Sequence, residues 1–151
     1  MSTHILVAYD GSDESATAIE HACALGEEME VTITVVYAVQ PDVYEAATGE
    51  TPANFAEEYR REILRTVNEA EEQGLEHLTE AETIAEENGQ EIVTELLYGP
   101  PVNKILEYSS DENVDMIVLG HRGDSDGAVT SLGSVAKAIM ERASVPVTVT
   151  R

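Results

Sequence analysis

Five short apolar runs, rich in β-branched residues, alternate along this chain with stretches of helical periodicity, and that alternation limits the fold more than any other feature. The runs are His4 to Tyr9 (HILVAY), Val31 to Ala38 (VTITVVYA), Ile92 to Tyr98 (IVTELLY), Asp115 to Leu119 (DMIVL) and Val145 to Val149 (VPVTV). Strands that are apolar along their length are buried on both faces, as in a parallel sheet covered by helices. Ser12 suits the N-cap of a first helix, with Asp13 and Glu14 at the positive end of its dipole. Ala16, Ile19, Ala22, Cys23 and Leu25 carry the helical spacing, and Gly26 suits the C-terminal cap. Phe55 to Asn88 reads as one long helix ended by Gly89. Gly74 inside it weakens the helix by about 1 kcal/mol relative to Ala and marks a place for a bend or break. Gln40 to Asn54, with two prolines and a glycine, reads as an irregular surface excursion. Val102 to Ser109 and Leu132 to Ala143 are the remaining helices. With right-handed crossovers, the β-α-β-α-β-α-β-α-β order predicts a doubly wound, three-layer α/β sandwich, one domain over 1–151.

Composition narrows the function classes. Thirty Asp and Glu against eight Lys and Arg give a net charge of −22 in 151 residues. Such a surface repels a phosphate backbone, so nucleic-acid binding is disfavoured. The acids are spread through amphipathic segments, which argues against a disordered tail. Acidic surfaces of this kind suit a salty cytoplasm, because at 1 M salt the Debye length falls to about 3 Å and self-repulsion is screened. No run reaches the roughly 18 apolar residues of a membrane span, and no secretory signal is visible, so the expected location is cytoplasmic. The lone Cys23 excludes an internal disulfide and a CxxC site, and its place on the apolar stripe of the first helix predicts a buried thiol.

In a doubly wound sheet, ligands bind beyond the carboxyl ends of the strands, where the strand order reverses. The richest such end is Gly120-x2-Gly123-x9-Gly133-Ser134, running from the fourth strand to the last helix. Its glycines permit close approach to a ligand. Gly133 and Ser134 would present free N–H groups at the positive end of the helix, a seat for phosphate oxygens, and the Ser134 hydroxyl adds a donor. Asp10, at the tip of the first strand, could accept hydrogen bonds from ribose hydroxyls.

These residues resemble the universal stress protein family over nearly the whole chain. The Asp after the first strand, the G-x2-G-x9-G-[ST] loop and the closing VPVTV strand all match its nucleotide-binding branch. The resemblance implies the universal stress protein fold, a five-stranded parallel sheet in order 3-2-1-4-5, and a homodimer formed by pairing last strands, Val145 to Val149. It also implies an adenine nucleotide (ATP, or ADP or AMP, with or without Mg²⁺). By position it puts Asp10 on the ribose, the backbone of Ala38 on the adenine edge, and Ser12 near the site. Leu119 and Gly120 would line the ribose and α-phosphate. Gly123, Gly133 and Ser134 would meet the phosphates, and Val135 would follow into the helix.

The nine residues between Gly123 and Gly133 contain Asp124 and Asp126 but neither Lys nor Arg, leaving Arg122 as the local cation. Unscreened, those acids oppose a triphosphate and favour AMP or ADP, unless Mg²⁺ bridges them. His121, without a titratable partner, reads as an exposed loop histidine. His4, His21 and His77 are too scattered for a metal site, and Ser134, directly after its glycine at a helix start, is not placed as a nucleophile. The Glu-rich long helix presents a solvated face. The leading expectation is a nucleotide-dependent stress-response switch with at most slow ATP hydrolysis, since no general base can be assigned. Its rivals are a dimeric interaction protein that binds no nucleotide, and a weak ATPase or nucleotidyl-transferring enzyme.

Overall fold

The computed structural model describes residues 2–39, 56–121 and 133–151, and of 56–64 the backbone alone. Among these residues the chain forms β1 (Thr3–Ala8), α1 (Asp13–Glu28), β2 (Val31–Val39), α2 (Ala56–Glu87), β3 (Ile92–Tyr98), α3 (Pro101–Asp111), β4 (Met116–Gly120), α4 (Ser134–Arg142) and β5 (Val147–Thr150). The irregular reading of Gln40 to Asn54 lies outside the described residues.

All four strand pairings are parallel, and the sheet order is β3-β2-β1-β4-β5. The expected α/β architecture and strand order are therefore present. Period-two alternation divides the strands between two cores. Ile5, Val7, Ile33, Val35, Tyr37 and Val118 pack with Ile19, Cys23, Leu78 and Ala81 of α1 and α2. Leu6, Val36, Ile117 and Leu119 pack on the other face with Ile105 of α3 and Ile139 of α4. Both faces are covered, which is why the strands are apolar at successive positions. The chain leaves β1 toward β2 and β3, then returns to β4 on the other side of β1, so the strand order reverses between β1 and β4. Reciprocal bonds fix that pair at its lower end: the His4 N–H donates to Asp115 Oδ2 and the Asp115 N–H to the His4 carbonyl, each at 2.8 Å.

Two glycines have other roles than their sequence positions predict. Gly26 is not the C-cap of α1. The helix runs on to Glu28, and extended Met29 ends it, its N–H donating to the Leu25 carbonyl at 3.1 Å. A Cβ on Gly26 would stand 2.8 Å from Gln90 Cδ, so the glycine accommodates the turn before β3. Nor does Gly74 break the long helix, which is a single element from Ala56 to Glu87. Gly74 is buried, and a Cβ there would lie 2.7 Å from Leu96 Cδ2 and 2.9 Å from Tyr37 Cδ1. It brings α2 close to the sheet. Gly89, at φ +75°, ends that helix as its position predicts.

Cys23 is fully buried, and burial pushes its thiol pKa up. Glu69, Glu72, Glu76, Glu82, Glu86 and Glu87 of α2 are all exposed, in keeping with a solvated acidic face. Among the described residues no helix is long and apolar enough to cross a membrane.

Candidate functional site

The turn after β1 is held by its own side chains. Asp10 Oδ1 accepts from the Ser12 N–H at 3.0 Å and from Ser15 Oγ at 2.9 Å. Ser12 Oγ in turn accepts the Ser15 N–H at 3.2 Å, the N-cap bond of α1. Gly11 between them takes φ +88°, a left-handed conformation that glycine adopts without strain. Ser12 and Ser15 are buried and Asp10 is exposed, so the turn presents a carboxylate from a rigid base. Continuing the β1–β2 register two places beyond Ala8↔Val36 sets Asp10 level with Ala38 at the end of β2.

The end of β4 meets the same turn. A Cβ on Gly120 would stand 2.6 Å from the Glu14 carbonyl carbon and 2.7 Å from the Ser15 nitrogen. The missing side chain is thus required by the first turn of α1, a packing demand that exists before any ligand is considered. Thr150, the end of β5, closes this corner: its hydroxyl lies 3.3 Å from both the Glu14 and Leu119 carbonyls. Leu119 is buried beneath, in the core shared with α4.

His121 departs from its expected exposed position. It is 7% exposed; its N–H donates to the Thr150 carbonyl at 2.6 Å, and its own carbonyl accepts the Gly133 N–H at 2.9 Å. The β4–β5 ladder, carried one residue past Gly120, draws it inward. That last bond corrects a second expectation, because the Gly133 N–H is engaged and not free. Gly133 is the N-cap of α4, without a side-chain capping bond, and the first intrahelical bond runs from the Lys137 N–H to the Gly133 carbonyl. The N–H groups of Ser134, Val135 and Ala136 precede that bond and form the positive end of the helix. The structure thus brings Asp10, Ser12, Leu119 and Gly120 to one corner and ties Gly133 and Ser134 to it through His121. Ala38 lies along the same edge. Arg122 and Gly123, with Asp124 and Asp126, lie outside the described residues. So does Ser125, centre of a G-x-S-x-G pattern from Gly123 to Gly127 that begins three residues past the end of β4.

A further group lies against this corner that the sequence pattern did not single out. The His77 ring of α2 stacks on Tyr37 (centroids 5.2 Å apart, 27° between planes) and meets Tyr9 edge-on at 6.0 Å. Glu80 Oε2 accepts from the Tyr9 hydroxyl at 2.9 Å and lies 3.2 Å from His77 Nδ1. The hydrogen bond with His77 holds the Glu80 carboxyl below its usual range. Burial, then the bond to Glu80, raises the Tyr9 phenol well above its ordinary value; burial, then the Asp10 charge, raises Tyr37. A Cβ on Gly11 would be 2.6 Å from His77 Cε1, so the imidazole fills the space under the turn. The i,i+3 spacing of His77 and Glu80 is visible in sequence, but their contact with Tyr9 depends on the seating of α2.

Known proteins align with this architecture. The model of the universal stress protein family matches residues 1–151. The universal stress protein MJ0531 of Methanocaldococcus jannaschii is 33% identical, over 97% of this chain and 81% of its own. Among solved structures, UspA from Lactobacillus plantarum superposes with a TM-score of 0.80 at 20% identity, covering 99% of this chain and 97% of its own. A universal stress protein from Archaeoglobus fulgidus in complex with dAMP gives 0.65 at 19% identity, covering 100% and 98%. Another, in complex with cAMP, gives 0.59 at 23%, covering 99% and 96%. The family match across the chain and the shared fold place this protein in the universal stress protein family.

Proposed function

We propose that the chain is an ATP-binding universal stress protein, in which nucleotide occupancy acts as a regulatory switch. The observation that carries the reading is the contrast at the strand ends: a carboxylate fixed on the Asp10–Ser12 turn stands at the same corner as the start of α4, which has no side-chain cap. A helix start with unspent N–H groups favours phosphate oxygens, and a fixed carboxylate suits ribose hydroxyls. Solved relatives in complex with dAMP and cAMP support an adenine nucleotide. In this reading Asp10 takes the ribose, with Ser12 holding it, and the Ala38 backbone takes the adenine edge. Leu119 and Gly120 line the floor. Ser134 and Val135 supply N–H donors, Ser134 adds its hydroxyl, and Gly133 gives the phosphates room. Arg122 and Gly123 complete the set.

The nucleotide would bring the phosphoanhydride; the chain's part is to hold and orient it. Asp10 Oδ1 already accepts two hydrogen bonds, which suits fixing a ribose better than taking a proton from water, so hydrolysis is slow at most. The same reading makes the protein a cytoplasmic homodimer through the last strand. The Pro146 and Thr150 carbonyls accept the N–H groups of Ile117 in β4 and of His121 just past it, so alternation turns the N–H groups of Val147 and Val149 toward the open edge. Val149→Pro removes an edge donor and spares the ladder with β4; sedimentation is expected to show the monomer, and a persistent dimer would move the interface elsewhere.

The deciding experiment is calorimetric titration of Mg-ATP, ADP and AMP into the protein in molar KCl, where the charge of −22 is screened. Micromolar ATP binding is expected. Binding of AMP alone would assign Asp124 and Asp126 the exclusion of the outer phosphates. With no copurified ligand and no heat from any nucleotide, the reading fails and the dimeric interaction protein replaces it.

A further inference from the structure

We propose that His77 is a positioning residue for the Asp10–Gly11–Ser12 turn, and that its protonation tightens the hold of that turn on an adenine nucleotide. The inference rests on the nucleotide reading above, and it concerns a helix outside the glycine loop.

The geometry links the ring to the turn directly. Gly11 cannot carry a side chain because the imidazole occupies that volume, with Cε1 at 2.6 Å and Nδ1 at 2.9 Å from an ideal Cβ. The ring is itself fixed on three sides: Tyr37 lies against its face, Tyr9 against its edge, and Glu80 Oε2 at Nδ1. Glu80 is tied to the residue before Asp10, since the same Oε2 accepts the Tyr9 hydroxyl. A change at the imidazole is therefore felt by the backbone on both sides of Asp10.

Charge gives the coupling its sign. Among the described residues, Tyr9 after β1, Tyr37 of β2 and Glu80 on its own helix meet His77, Gly11 lies against its ring, and the charges of Asp10 after β1 and Asp13 at the start of α1 act on those phenols. The phenols are held neutral to high pH, so among these described groups the fixed charges, those of Glu80, Asp10 and Asp13, are negative. A positive charge on the imidazole would offset carboxylate charge beside the turn where an anionic ligand arrives. Neutral His77 keeps the hydrogen bond and loses that offset. Nucleotide binding and protonation of His77 are thus mutually favourable, and by linkage each strengthens the other.

Two readouts on the intact protein test this between pH 5 and 8, the range in which imidazoles titrate. In the ligand-free protein, the His77 ring resonance and the Gly11 and Ser12 amides are expected to share one midpoint, and His77→Gln to abolish the amide titration. Flat amides beside a titrating ring would overturn the proposal. ADP affinity of the wild type is expected to rise about fivefold from pH 8 to pH 6 beyond any change in His77→Gln, the size of a partly exposed charge pair. An equal slope in the two proteins would also overturn it. If His77→Gln does not fold, the shared midpoint in the wild type decides. Wild-type protein that binds no ADP would sink the nucleotide reading and with it the affinity half of this proposal, whereas coupled amides would still establish His77 as the residue that sets the turn.

Discussion

Two places in this molecule share one topological slot, the step from the end of a strand to the start of a helix, and they are finished differently. After β1, the turn closes on itself: Ser12 caps α1, Asp10 accepts from Ser12 and Ser15, and His77 fills the space beneath Gly11. At α4, among the described residues, a backbone bond from Gly133 to His121 anchors the start, and its N-cap Gly133 has no side-chain capping bond. The first turn is closed by its own side chains, whereas the start of α4 carries no side-chain cap. In the proposed nucleotide reading, the rigid turn is one wall and sets geometry, and the uncapped helix start is the other and supplies affinity.

Substitutions at each wall separate these roles. The largest effect is expected at Gly120, where the neighbour is the α1 backbone and cannot step aside: Gly120→Val should cost about 3 kcal/mol or more, read from urea unfolding. A loss under about 1 kcal/mol would mean that α1 can move off the sheet. Next is Gly133→Val, which should weaken nucleotide binding about a hundredfold with the melting temperature nearly unchanged, because a side chain there enters the phosphate seat. Retained affinity would move the phosphates away from α4. Ser12→Ala should cost about 1 kcal/mol of stability through loss of the cap, and should lower affinity as Asp10 loosens. A stable variant with unchanged affinity would show that the first wall needs no cap.

The smallest effect is at Glu80. Its folded pKa is depressed, so its contribution is present above the ordinary carboxyl value of 4.5 and is lost as pH falls below it. Glu80→Gln should therefore flatten the acid limb of the stability profile by only a few tenths of a kcal/mol, since the side chain is half exposed. An unchanged limb would show that Glu80 contributes nothing to acid sensitivity.

The sheet was legible because burial on both faces leaves a plain mark, apolar residues at successive positions, clearest in β1 and β4 and weakest in the edge strand β3, where Thr94 and Glu95 interrupt the run. Ends were less so: VPVTV begins to pair as a strand only at Val147, although the Pro146 carbonyl already accepts the Ile117 N–H. Glycines were legible as punctuation and illegible as packing. Gly26, Gly74 and Gly120 each make room for residues distant in sequence (Gln90, then Tyr37 and Leu96, then Glu14 and Ser15), and no local pattern records a neighbour that only the fold supplies. The same holds for His121 and His77. One was read as exposed because nothing beside it in sequence could bury it, and the other as scattered because its partners, Tyr9 after β1 and Tyr37 in β2, lie about 70 and 40 residues earlier in the chain.

The aromatic packing beside the turn also makes the protein its own optical probe. The chain has six tyrosines and no tryptophan, so its ultraviolet emission comes from phenols alone. Two of those phenols, Tyr9 and Tyr37, touch one imidazole at the base of the Asp10 turn, and the Tyr9 hydroxyl donates a hydrogen bond to the Glu80 carboxylate. Any motion of the turn changes the surroundings of both, so their fluorescence is expected to report, without a label, whether a nucleotide added in the titration moves the turn.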